Sequence, residues 1–76
     1  MDAYLEAARA LAWRKTQRLS RAALAAVSGF SASQIQDYEE GSRRGKTGAA
    51  AEITEASWLR YRLACAAIAA KVEQPW

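Results

Sequence analysis

The chain has 76 residues, 11 lysines and arginines against 8 acids, a net charge of +3, no histidine and one cysteine. So short a chain supports one thin core, and residues 1–76 are expected to form a single domain. Lacking histidine, and with Cys65 alone, it can build neither a Ser-His-Asp or Cys-His nucleophile nor a His- or Cys-rich zinc site, so no enzyme activity, metal or other cofactor is expected.

Alanine, leucine, arginine, glutamine and glutamate dominate and proline occurs once, which favours an all-α fold, a small helix bundle, over any sheet. The uncharged stretch from Ala22 to Gln36 contains Gly29, serines and glutamines and does not read as a membrane span. Asp2 and Glu6 stand where a signal peptide would be basic, and the lone cysteine suits a reducing compartment, so a cytoplasmic protein is expected.

The first helix is expected over residues 3 to 18, with Asp2 as its N-cap and Arg14, Lys15 and Arg18 near the negative end of its dipole. Ala3, Ala7, Ala10, Trp13 and Arg14 share one side and should face inward. Ser20 then opens a helix of about two turns that ends before Ser28-Gly29. Gly29 suits a tight turn, Phe30 plugs the core, and Ser31 with Gln34 forms a capping box, so a third helix starts near Ala32. Ile35 and Tyr38 give it one buried stripe, leaving Ala32, Ser33, Gln36 and Asp37 outward, and Gly41 stops it.

Residues 41 to 49 read as a basic loop. Gly45-Lys46-Thr47 is not a phosphate-binding loop, since the glycine required five residues before Gly45 is Glu40 and no apolar strand precedes it. From about 50 to 72 a long helix is expected, with Trp58, Tyr61, Cys65, Ile68 and Val72 as its buried stripe. Leu59, Leu63, Ala67 and Ala70 lie opposite. Arg60 and Lys71 on one flank, and Glu55, Arg62 and Glu73 on the other, separate the two faces. A helix apolar on two faces needs two partners: the second face either packs within the subunit or forms a dimer interface, and its small residues favour the dimer. Cys65, Trp13 and Trp58 read as core, and Trp76 as either unstructured or packed on a partner subunit.

From Arg9 to Lys46 eight basic residues stand against three acids, an asymmetry that suggests a polyanion partner. Two short helices joined by a glycine turn, the second presenting small and amide side chains, meet the physical needs of a helix-turn-helix. The run Ser20-Arg21-Ala22-Ala23-Leu24-Ala25-Ala26-Val27-Ser28-Gly29-Phe30-Ser31-Ala32-Ser33-Gln34-Ile35-Gln36-Asp37-Tyr38-Glu39-Glu40-Gly41 resembles the Cro/cI-like (Xre) helix-turn-helix of phage and bacterial repressors, a lambda-repressor-like fold. The resemblance extends over Ala10 to Gly41. Leu24, Ala25, Gly29, Phe30, Ile35 and Tyr38 match its core and turn positions, and Tyr38-Glu39-Glu40-Gly41 matches its closing element.

The resemblance implies a structural ion pair between Arg14 and Glu39. It also implies base-reading by Ala32, Ser33, Gln34, Gln36 and Asp37. Gln can bridge an adenine edge, Ser can donate or accept, Asp can accept from cytosine N4, and Ala32 can touch a thymine methyl. Arg21 stands where the family often has a phosphate-binding glutamine. With Arg18, Ser31, Arg43, Arg44 and Lys46 it would contact the DNA backbone. Ser28, Gln17 and Asp37 depart from the family pattern, as does the single long C-terminal helix.

The expected partners are therefore double-stranded DNA and a second copy, the latter through Leu59, Leu63, Ala67 and Ala70, with no membrane and no small-molecule ligand. The expected function is a dimeric transcriptional repressor on an inverted repeat. A different class of reading is a protein-interaction module of the same fold, or an inhibitor, with Asp37, Glu39 and Glu40 as its support. A third is an architectural DNA binder without sequence preference.

Overall fold

The computed structural model describes residues 2–44 and 50–73, except for the side chains of Arg43, Arg44 and Ala50. Among these the chain is a small all-α bundle of four helices, α1 (Ala3–Thr16), α2 (Arg21–Ser28), α3 (Ala32–Glu40) and α4 (Glu55–Ala69). Between α3 and α4 lies a two-residue antiparallel ladder of β1 (Arg43–Arg44) with β2 (Ala50–Ala51), in which Arg43 faces Ala51 and Arg44 faces Ala50. No helix among the described residues is long and apolar enough to cross a membrane. The expectations for the Gly45-Lys46-Thr47 segment and for Trp76 lie outside the described residues.

Every helix starts at a short oxygen-bearing side chain that accepts from an otherwise orphaned N–H. Asp2 accepts from Tyr4 at 3.0 Å and Leu5 at 3.2 Å, Ser20 from Ala23 at 3.0 Å, Ser31 from Gln34 at 3.1 Å and Thr54 from Ser57 at 3.1 Å. At Ser31 the cap is reciprocal, because the Gln34 side chain accepts from the Ser31 N–H at 2.9 Å. The chain leaves each helix through a left-handed residue: Arg18 (φ 58) after α1, Gly29 (φ 79) after α2, Gly41 (φ 84) after α3 and Lys71 (φ 53) after α4. In that geometry Leu19 donates to the Arg14 carbonyl, Ser42 to Asp37 and Val72 to Ala67, closing helix ends that would otherwise leave bare carbonyls.

These ends correct several expected boundaries. Helix α1 stops at Thr16 instead of 18, because Arg18 turns left-handed to cap it. Helix α2 takes in Ser28, whose Oγ accepts from the Phe30 N–H at 3.2 Å and so ties down the turn from within. Helix α4 begins at Glu55, not near 50, since Thr54 caps it and Ala50–Ala51 is drawn into the ladder with Arg43–Arg44. Helix propensity alone favoured the alanines there, and a nearby cap with a pairing strand overrode it. The same ladder replaces part of the loop expected over 41–49. At the other end α4 finishes at Ala69, which removes Val72 from the buried stripe and leaves it 65% exposed.

The core is small. Ala7, Leu24, Ile35, Tyr38, Ile53, Trp58 and Tyr61 are buried, with Ala10, Trp13, Leu19, Ala25, Phe30, Cys65 and Ile68 packed around them. Its densest part is aromatic. Tyr38 stacks on Tyr61 with centroids 4.1 Å apart, and Phe30 meets both rings edge-on at 5.8 and 5.3 Å. The Tyr38 hydroxyl donates to the Ser57 carbonyl at 3.2 Å, fixing α3 to the start of α4. Burial pushes the Cys65 thiol up to about 11, so Cys65 stays a neutral packing group.

Alanines on α1 let it approach the end of α3 closely. A Cβ at Gly41 would lie 3.2 Å from the Ala3 carbonyl oxygen and 3.5 Å from the Ala7 Cβ, whereas one at Gly29 meets nothing within 4 Å. Both glycines carry left-handed backbone, so Gly29→Ala is expected to cost about 1–2 kcal/mol for conformation alone. Gly41→Ala should cost at least about 1 kcal/mol more, because backbone cannot step aside as a side-chain tip can. Chemical denaturation of the two variants side by side checks this ordering.

Candidate nucleic-acid interface

The geometry of this region is set by one carboxylate. Glu39, near the end of α3, has a side chain only 1% exposed. Arg14 of α1 grips it through two bonds, Nε to Oε2 at 2.6 Å and Nη2 to Oε1 at 3.0 Å, and its remaining Nη1 donates to the Leu19 carbonyl at 2.9 Å. Arg21, the first residue of α2, adds a third bond, Nε to Oε1 at 3.1 Å. The ends of α1 and α3 and the start of α2 therefore meet on two oxygens. Burial by itself would push the Glu39 carboxyl up, but the hydrogen bonds and charges of the two arginines outweigh it and hold it below its ordinary value of 4.5. The bond to Glu39 likewise raises the Arg14 guanidinium above its usual value despite burial.

With Ile35, Tyr38 and Glu39 buried, the rest of α3 faces out. Ala32, Ser33 and Gln34 are exposed, and Gln36 and Asp37 are half-buried. Two of the residues expected to read bases are already engaged. The exposed Gln34 side chain accepts from the Ser31 N–H through its carbonyl oxygen, so a bidentate contact to a base would share or break that cap. The Gln36 amide donates to Glu40 Oε1 at 3.0 Å, one turn along and exposed. Glu40 shares the outer face with Ser33, Gln36 and Asp37, which makes the first half of that face neutral and its second half acidic.

The residues expected at the DNA backbone are not all alike. Arg18 is exposed on the left-handed turn after α1. The Arg21 side chain is 40% exposed but serves the Glu39 brace, a structural duty added to the phosphate contact expected of it. The Ser31 oxygen is used as a cap acceptor, leaving its hydroxyl proton to donate. For Arg43 and Arg44 only the backbone is described, in β1, and Lys46 lies outside the described residues.

On the far side of α4, Leu59 is 50% exposed and Leu63 60%, and Ala67 and Ala70 are exposed as well, so this second apolar face is not covered by the described residues. Tyr4 at 80% and Leu5 at 48% add exposed apolar surface on α1. The involvement of Arg21 in the brace, the bond between Gln36 and Glu40 and the Thr54 cap were all missed from the sequence. The spacing of Glu40 from Gln36 by one helical turn was the signal available for the second of these.

No family model, no characterised protein and no solved structure matches the chain. No group of histidine, cysteine, aspartate and glutamate able to hold a metal ion occurs among the described residues.

Loss of Arg14 leaves a buried carboxylate with one partly solvated partner, so Arg14→Ala is expected to destabilise by roughly 3 kcal/mol or more. Arg21→Ala should cost about 1 kcal/mol or less, because its single bond is screened by water. A Glu39 carboxyl depressed in the folded state means that the unfolded chain binds more protons in the acid range. Its stabilisation is then complete above the ordinary glutamate value of 4.5 and is lost as pH falls through the lower folded value. Denaturation midpoints measured across that range should flatten in Glu39→Gln relative to the parent chain.

Proposed function

We propose that the chain is a sequence-specific DNA-binding transcriptional regulator of the cytoplasm, a dimeric repressor that lays α3 in the major groove of an inverted-repeat operator. The observation that carries this reading is the docked α2–turn–α3 unit. A glycine turn and a capping box set the entry angle of α3, Ile35 and Tyr38 anchor it, and Ser33 and Gln36 are turned outward at its leading half. The run's resemblance to Cro/cI-like (Xre) helix-turn-helices points the same way.

Charge along α3 favours one direction of approach. Asp37 and Glu40 occupy the second half of the outer face, so α3 enters by its N-terminal half, where the helix dipole also favours phosphate. Gln36 then gives up an exposed bond to Glu40 for a base edge, a small cost beside a bidentate pair with adenine. Arg18, Arg43, Arg44 and Lys46 supply the nonspecific attraction that makes affinity fall with salt. With the exposed α4 face joining two copies, the paired α3 helices would lie about 34 Å apart, one turn of DNA.

The protein-interaction reading loses part of its support, because Glu39 is buried and paired and does not contribute to an acidic surface.

A mobility-shift titration on the DNA upstream of the gene, at two salt concentrations, tests the proposal. Ser33→Ala or Gln36→Ala should cost roughly 1–3 kcal/mol on the operator and little on random DNA. Arg18→Gly relieves a left-handed non-glycine residue and so should leave stability unchanged or raised, yet weaken both DNAs alike and lower the salt slope by about one. An equal loss on both sequences from Gln36→Ala would count against base reading. For the dimer, sedimentation of Leu63→Glu should give a monomer where the parent chain is a dimer, with unfolding unaffected; a parent chain that stays monomeric at high micromolar concentration rejects it.

A further inference from the structure

The outer strip of α3 is bordered differently on its two flanks. On the flank of Glu39 stands Arg21 of α2, bound to that carboxylate at 3.1 Å. On the other flank, the one nearer Tyr38, Gln34 and Asp37 form one wall of a cleft of about 370 Å³, and Ser57 and Arg60 of α4 form the other. The Tyr38 hydroxyl, bonded to the Ser57 carbonyl at 3.2 Å, holds the two walls together. Arg60 is the one basic residue among those that line the cleft. It is exposed, Asp37 is half-buried, and neither makes an ion pair among the described residues. Arg62 differs in both respects. Two residues apart, the two arginines lie roughly 160° from each other around a helix of 3.6 residues per turn, and Arg62 lies on the α1 side, 3.6 Å from Glu6. Arg60 is thereby left on the side of α3.

We propose that Arg60 is a DNA phosphate ligand, binding the strand that borders α3 on its α4 side. The inference rests on the reading of α3 as a helix that lies in the major groove. That groove is about 12 Å wide, so a helix within it has a sugar–phosphate strand along each flank. Contacts to both strands fix the register in which base edges are met. Arg21 borders one flank of α3, and Arg60 borders the other. A guanidinium fork matches two phosphate oxygens in shape and charge, and Arg60 has no carboxylate to leave first. Asp37 would repel a phosphate brought to this side, and a cation on the facing wall of the same cleft offsets that repulsion.

The test is the salt dependence of binding by the full chain to a duplex of the DNA upstream of its gene, followed by fluorescence anisotropy. Arg60→Gln should lower the slope of log affinity against log salt by about 0.9, the value of one phosphate contact, and Arg60→Lys should keep the parent slope. Lys71→Gln, which removes the same charge at the far end of α4, should leave the slope unchanged. The unfolding midpoint of Arg60→Gln should match the parent, since Arg60 is exposed and unpaired among the described residues. Uncharged methylphosphonates placed singly along the duplex locate the contact: one position should weaken the parent chain and leave Arg60→Gln unaffected. A parent chain that binds with a slope Arg60→Gln does not change overturns this inference alone and leaves the reading of α3 intact. Equal slope changes from Arg60→Gln and Lys71→Gln do the same, since net charge would then be the cause. A parent chain that binds no DNA at low salt removes the reading of α3, and Arg60 with it.

Discussion

A buried carboxylate is costly unless it is paired and hydrogen-bonded, and in this chain the pairing is what assembles the helices. Glu39 accepts two bonds from Arg14 and one from Arg21, and Arg14 uses its last direction to hold the Leu19 carbonyl just past the end of α1. The junction of α1 with α2 and the distant end of α3 are thus fixed by atoms that tolerate little angular error. Apolar contacts alone would not be so exacting, since α1 meets α3 largely through alanines and the whole core comprises a few buried side chains. In a domain of this size, with a thin margin of stability, a directional brace fixes the position that nonspecific burial leaves loose.

The posture of α3 follows from that constraint. Its C-terminal end is pinned at Glu39 and, through the Tyr61 stack and the Ser57 carbonyl, tied to α4 by Tyr38, while its N-terminal end is closed by the Ser31–Gln34 box. What remains outward is a strip that changes from neutral to acidic along its length. The two apolar faces of α4 divide along the same lines: one carries the aromatic cluster that supports α3, and the other, with Leu59 and Leu63, is exposed.

Much of the architecture was legible in the residues. Ser20, Ser31 with Gln34, Gly29 and Gly41 are local signals whose chemistry acts within one turn, and the helices begin and end close to them. The three-residue spacing of Ile35 and Tyr38 was enough to give the outer face of α3. Where alanine was the only guide the reading failed, because alanine permits a helix without specifying its ends: residues 50–53 went instead to a ladder and a cap at Thr54, and α4 stopped short of Val72. The brace was only half visible. Resemblance supplied Arg14 and Glu39, but Arg21 was read as a phosphate ligand alone, since nothing in a linear pattern shows that the start of α2 lies beside the end of α3. Ser28, a departure from the family pattern, has a local function in the turn.

The most direct measurement of the brace is a double-mutant cycle on Arg14→Met and Glu39→Leu by denaturant unfolding. If the pair organises the three helices, each single variant strands a charge while the double variant strands neither Arg14 nor Glu39, and the coupling should be about 1.5 kcal/mol or more. If the two losses add to within about 0.5 kcal/mol, the residues act independently and the account is wrong.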